Sequence, residues 1–170
     1  MKTKISIFFV FLSLLLSLSV SADETVKIGD VEMASDKKSA AFEQVRKKLG
    51  IWKGTMTQGA TGAVFDVSYE FKLTSGGNTI TETLVEDGVE MLTTYSDDNG
   101  ELVVRHYCGL GTEPVFSVSR LSDKIMSIKL DKAKADLHAE HESFVTGMKW
   151  TMNSKAVSYT HLTLPTNREV

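Results

Sequence analysis

The sequence predicts an all-β protein: an antiparallel, up-and-down barrel of roughly eight to ten short strands behind one short α-helix. Three observations predict it. Apolar and polar residues alternate along "VFDVSYEFKL", so that Phe65, Val67, Tyr69, Phe71 and Leu73 share one face. Turn-forming clusters such as Asp97-Asp98-Asn99-Gly100 separate the apolar runs at short, regular intervals. No succession of strand and helix patterns calls for a parallel sheet.

The first 22 residues have the make-up of a secretory signal peptide. Lys2 and Lys4 form a basic start, Ile5 to Leu18 is apolar apart from serines, and Val20-Ser21-Ala22 places small residues for cleavage after Ala22. The apolar run is short for a bilayer span, and no cysteine follows it to carry a lipid. An exported protein, periplasmic or secreted, is expected. Residues 23–34 are polar and mixed and read as a flexible lead-in. The barrel domain is assigned to residues 35–156.

Within that domain Ser35 or Asp36 is placed to cap a helix running to about Leu49. Ala41, Phe42, Val45 and Leu49 fall at helical spacing, so one side should pack down. The basic "RKKLG" from Arg46 to Gly50 reads as its last turn, where cations suit the helix dipole, with Gly50 as the stop. The period then changes to two. "VFDVSYEFKL" is a half-buried strand, Ser75-Gly76-Gly77-Asn78 a turn, and "TITETLVE" a strand rich in β-branched residues. Glu86-Asp87-Gly88 turns into "VEMLTTYS", and Asn99-Gly100 turns into "ELVVRHYC", which Gly109, Gly111 and Pro114 end. "VFSVSR", "KIMSIKL", "DLHAEHESFV" and "MKWTM" are read as further strands.

The tail is anomalous. Val157 to Thr166, "VSYTHLTLPT", resembles the codon-for-codon translation of a common transposon-derived sequencing adapter. Residues 157–170 are therefore expected to add no strand, and the last strand of the barrel is expected to be missing.

Composition narrows the function classes. The 170 residues carry 19 Lys+Arg against 22 Asp+Glu, a net charge of −3, without a basic patch, so no nucleic-acid partner is expected. One cysteine leaves no internal disulfide framework. No membrane association is expected once the signal peptide is removed.

Gly50-Ile51-Trp52 is a G-x-W at the start of the first barrel strand, just after a helix, and it resembles the opening strand of lipocalin-like (calycin) barrels, where the Trp plugs one end. A longer string carries the resemblance further: Gly76-Gly77, Thr81-Glu82-Thr83, Thr94-Tyr95, Gly100-x-Leu102, His106-Tyr107-Cys108, Gly111, Pro114 and Trp150-Thr151. It is similar to a family of exported bacterial proteins of unknown function with a lipocalin-like barrel. Thr112-Glu113 stands where that family often has Asn-Gln, and the Trp150 strand is not followed by the family's Gly-Lys turn. The resemblance implies a fold and a compartment, and it brings no catalytic residues.

The candidate site residues are Trp52, Phe65, Glu82, Tyr95, Arg105, His106 and Cys108. On "ELVVRHYC", alternation sets Leu102, Val104, His106 and Cys108 on one face and Val103, Arg105 and Tyr107 on the other. Cys108 is expected to be a buried, slow-reacting free thiol, and His106 a satisfied histidine in a cavity wall. The competing readings for that pair are a thiolate nucleophile, a soft-metal site or a haem ligand.

Glu82 shares a face with Ile80 and Leu84. If that face is inward, the carboxyl needs a partner, Arg105 or the Tyr95 hydroxyl, or its pKa must rise. If the threonine face is inward, Glu82 is solvated. Thr81, Thr83, Thr93 and Ser117 are small or polar candidates for the interior, which should leave space there. Met56, Met91 and Met126 read as gap-fillers. His138 and His141, three apart on a strand, cannot share a face.

The function expected is the binding of an apolar or amphipathic small molecule inside the barrel. A haem, metal or thiol-dependent enzyme using His106 and Cys108 is the alternative. No catalytic residue, metal ligand or cofactor is assigned.

Overall fold

The computed structural model describes residues 26–28, 31–33, 38–59, 61–138, 140–152 and 158–163. The proposed signal peptide, residues 1–22, lies outside them. Two units are distinguished. In the first, β1 (Val26–Ile28) and β2 (Val31–Met33) pair as a small antiparallel hairpin, with Val26 opposite Met33, where the sequence suggested only a flexible lead-in.

The second unit contains the helix α1 (Ala40–Arg46) and nine strands. In chain order they are β3 (Gly50–Thr57), β4 (Val64–Thr74), β5 (Thr79–Glu86), β6 (Val89–Asp98), β7 (Glu101–Tyr107), β8 (Val115–Leu121), β9 (Ile125–Leu130), β10 (Gly147–Met152) and β11 (Ser158–Thr163). Every strand pairs antiparallel with its sequence neighbour, so the sheet is an uninterrupted up-and-down meander from β3 to β11. This is the all-β, antiparallel, lipocalin-like architecture the sequence predicts, with one short helix before the strands. No ladder joins β3 to β11 among the described residues, so the sheet is a half-barrel with two edges.

The turns form for local reasons. Glu86 pairs with Val89 and Asp98 with Glu101, which leaves Asp87-Gly88 and Asn99-Gly100 as two-residue loops. Asp87, Gly88, Asn99 and Gly100 all have φ between 51° and 84°. That is the geometry of the primed turns that match strand twist, and Asp, Asn and Gly adopt it at least cost.

Three sequence expectations are corrected. The helix begins at Ala40 under Ser39 rather than at Ser35 or Asp36, and it ends at Arg46 rather than Leu49. Ser39 Oγ accepts from Phe42 N at 3.1 Å and donates to Asp97 Oδ1 at 2.6 Å, so the cap is tied to the end of β6. That tertiary anchor decides where the helix starts. The described residues of "DLHAEHESFV" form no strand. Glu142 N donates to His138 O at 2.9 Å and Glu142 Oε2 accepts from His138 N at 2.8 Å, closing a turn, after which Phe144 and Val145 tuck into the interior. His138 and His141 are both exposed.

The third correction concerns the tail. Ser158–Thr163 forms β11, with Met152 opposite Ser158 and Gly147 opposite Thr163. An edge strand offers its free N–H and C=O groups to any extended segment with β propensity, and "SYTHLT" has that propensity whatever its origin.

The core lies on the inner face of the meander. Phe71, Ile80, Tyr95, Val104, Phe116, Met126, Ile128, Met148 and Trp150 are buried there against Ala41, Phe42 and Val45 of α1. The helix is seated by its cap at Asp97 and by Gln44 Nε2, which donates to Asp123 O at 3.0 Å.

Candidate functional site

The inner face carries a row of residues set by strand register. Phe71 lies opposite Glu82, Glu82 opposite Thr93, and Thr93 opposite His106 across β4 to β7. Ile80, Glu82 and Leu84 are all buried, so the Glu82 face points inward. Thr81, Thr83 and Ser117, expected inside, are only half-buried on the opposite face, and Thr93 alone of that set is interior.

Glu82 finds the partner it requires in Tyr95, whose hydroxyl donates to Glu82 Oε2 at 2.5 Å. The Thr93 hydroxyl also bonds the carboxyl, and Thr93 Oγ1 sits 3.0 Å from His106 Nδ1. Tyr95, Glu82, Thr93 and His106 thus form one polar chain through an apolar interior. Arg105 is not part of it. Its guanidinium is on the outer face, 3.8 Å from Glu113 Oε2.

Sequence reasoning missed Lys48. It lies in the short connection from α1 to β3 and is 1% exposed. Its Nζ stands 4.0 Å from the centre of the Trp150 ring and 5.2 Å from that of Phe71, a cation–π geometry. Yet it makes no hydrogen bond among the described residues, and neither does the buried Trp150 Nε1. A signal for Lys48 existed: spaced three after Val45, it continues the Ala41, Val45 stripe. Leu49, assigned to that stripe, is exposed.

The electrostatics follow from burial. Desolvation lowers the Lys48 pKa from 10.5 to about 7, opposed by the charge of Glu82. Burial pushes the Glu82 carboxyl up, against the pull of Lys48 and of the Tyr95 and Thr93 hydroxyls. Burial lowers His106 from 6.5 to about 4, so it is a neutral imidazole at pH 7. Both members of the Lys48–Glu82 pair are pressed toward their uncharged forms.

This gives a stability prediction. Lys48 binds its proton more weakly in the folded state, so stability should rise as pH goes from about 7 toward 10.5. Lys48→Met removes the buried charge at similar volume and is expected to raise stability by on the order of 1–4 kcal/mol at pH 6. The gain should shrink as pH rises toward 10.5 and vanish above it, where the lysine becomes neutral in both states. Urea unfolding of both proteins at pH 6 and pH 10 measures it. A K48M protein less stable than wild type at pH 6 contradicts the charge-burial account.

The remaining candidates separate. Trp52 is half-buried, its Nε1 donating to Lys48 O at 2.6 Å, so it fastens the connection that carries Lys48. Phe65 is half-buried on β4 opposite Met56. Cys108 is a free thiol but only half-buried, which corrects its expected burial. The cause is local: β7 ends at Tyr107, and Cys108 enters a turn in which its N donates to Thr112 O at 3.0 Å and its O accepts from Gly111 N at 2.9 Å. Strand alternation does not extend into that turn. Among the described residues no three His, Cys, Asp or Glu side chains group as a metal site.

Fold and site together define an antiparallel lipocalin-like half-barrel with a polar cluster on its inner face. No protein-family model, curated protein or solved structure matches the chain. Among the described residues no helix is long and apolar enough to cross a membrane.

Proposed function

We propose that this is an exported small-molecule-binding protein whose inner face takes an apolar or amphipathic ligand, with the ligand's polar end at Lys48, Trp150 and Glu82. The observation that carries the reading is the pair of buried donors, Lys48 Nζ and Trp150 Nε1, that have no hydrogen-bond partner among the described residues, with the Glu82 charge acting on Lys48. A buried donor without a partner is costly and uncommon, and a ligand oxygen is a natural complement. The surrounding rings supply the apolar wall. Tyr95 packs at 6.2 Å, centre to centre, from both Phe71 and Trp150. An apolar wall with a few convergent polar groups is the usual make-up of a small-molecule site.

The test is titration with environment-sensitive fatty-acid and polycyclic probes while tryptophan emission is followed. A saturable change at micromolar probe is expected, carried by Trp150 and so lost in Trp150→Phe but kept in Trp52→Phe. If no probe binds at that level, the reading fails. Export is checked separately, by finding Asp23 as the mature N-terminus of secreted protein.

A further inference from the structure

We propose that Lys48 Nζ is a covalent attachment site for an apolar aldehyde, held as a protonated imine with Glu82 as proton donor and counter-ion. The inference deepens the proposed ligand-binding reading and rests on it.

Three features carry it. The amine is buried, has no hydrogen-bond partner among the described residues, and lies 4.0 Å from the centre of the Trp150 ring. A desolvated lysine beside aromatic walls is the environment in which an amine becomes a nucleophile toward carbonyls. The charge that acts on Lys48 is that of Glu82, a carboxyl held by the hydroxyls of Tyr95 and Thr93. Lys48 belongs to the connection between α1 and β3 rather than to a ladder strand, and the Trp52 Nε1 bond to Lys48 O fastens it there. The depressed amine pKa and raised carboxyl pKa agree with this arrangement.

The step balances without an oxidant or reductant. The Nζ lone pair attacks the aldehyde carbon and forms the C–N bond, while the carbonyl oxygen takes the Glu82 proton. Glu82 then takes a proton from the nitrogen, giving a carbinolamine. Glu82 returns that proton to the hydroxyl, which leaves as water as the C=N bond forms. The products are water, a protonated imine and the Glu82 carboxylate, which pair within the site. The Tyr95 and Thr93 hydroxyls stabilise the carboxylate form.

The test uses the whole folded protein with cinnamaldehyde, trapping by cyanoborohydride and peptide mapping by mass spectrometry. Cinnamyl alcohol, which has no carbonyl, is titrated in parallel by Trp150 emission. A secondary-amine adduct on Lys48 is expected to exceed that on the exposed neighbour Lys47 by about tenfold or more, because neutral amine is the reacting form. Its rate should rise with pH and level near neutrality. Glu82→Gln should slow it, and both Lys48→Met and Lys48→Arg should abolish it.

Adducts spread over surface lysines, or unchanged in both Lys48 variants, would overturn the inference. Alcohol binding without a Lys48 adduct overturns the covalent step and leaves the ligand-binding reading standing. A Lys48 adduct without saturable alcohol binding supports the covalent step and counts against that reading.

Discussion

Trp150→Ala is expected to cost about 3–5 kcal/mol of stability, the range for removing a large aromatic from a close-packed core. Trp150 is 2% exposed on β10 and meets Tyr95 edge to face, with an interplanar angle of 63°. It also covers the Lys48 ammonium. Truncation leaves a cavity and strips the cation of its ring. Trp150→Phe separates these effects. It keeps an aromatic ring and removes an indole N–H that has no partner among the described residues. It is therefore expected to cost less than half as much as the alanine change. Urea unfolding at pH 7 measures both. Equal losses would mean that the indole N–H is satisfied in solution and that Trp150 is not the open donor proposed.

The second large effect is acid destabilisation through His106. Its pKa is 6.5 in the ordinary state and about 4 when folded, so between those values the unfolded chain binds more protons. Stability therefore rises with pH across that window and is lost on acidification. The shift corresponds to on the order of 3 kcal/mol between pH 6.5 and pH 4. His106→Gln keeps a group able to bond Thr93 and does not titrate, so its stability curve should lack this acid limb. Glu82 acts in the opposite sense. Its folded pKa is raised above 4.5, so its contribution is present at low pH and is lost as pH rises through the folded value. Glu82→Gln should steepen the net acid loss by removing that offset. If wild type and His106→Gln run parallel from pH 6.5 to 4, the buried neutral imidazole is wrong.

Much of the fold is legible in the chain. Asp87-Gly88 and Asn99-Gly100 specify two-residue hairpins because the turn needs positive φ at both positions. Strict alternation in β4 and the β-branched run in β5 specify strands through side-chain period alone. The segment from Asp136 to Val145 was misread because its residues alternate loosely while Glu142 and His138 close a turn through bonds that no period reveals. Cys108 departs from its expected burial because β7 ends at Tyr107, and alternation does not extend into the turn that Cys108 enters.

The candidate site divides in the same way. Sequence alone determined that Ile80, Glu82 and Leu84 share a face and that His106 lies with Leu102 and Val104, since both follow from a period of two. It did not determine which face of β5 is inside, because both faces carry residues a barrel interior accepts. Only the tertiary structure decided that, through the register that sets Glu82 between Phe71 and Thr93 and within reach of Tyr95. It also decided the place of Lys48. A lysine after a helix is ordinarily solvated, and here the helix cap at Asp97 and the Trp52 bond to Lys48 O hold the connection so that the ammonium meets Trp150. Local pattern determines which residues travel together. Where they meet depends on contacts between elements far apart in the chain, and those exist only once the sheet has formed.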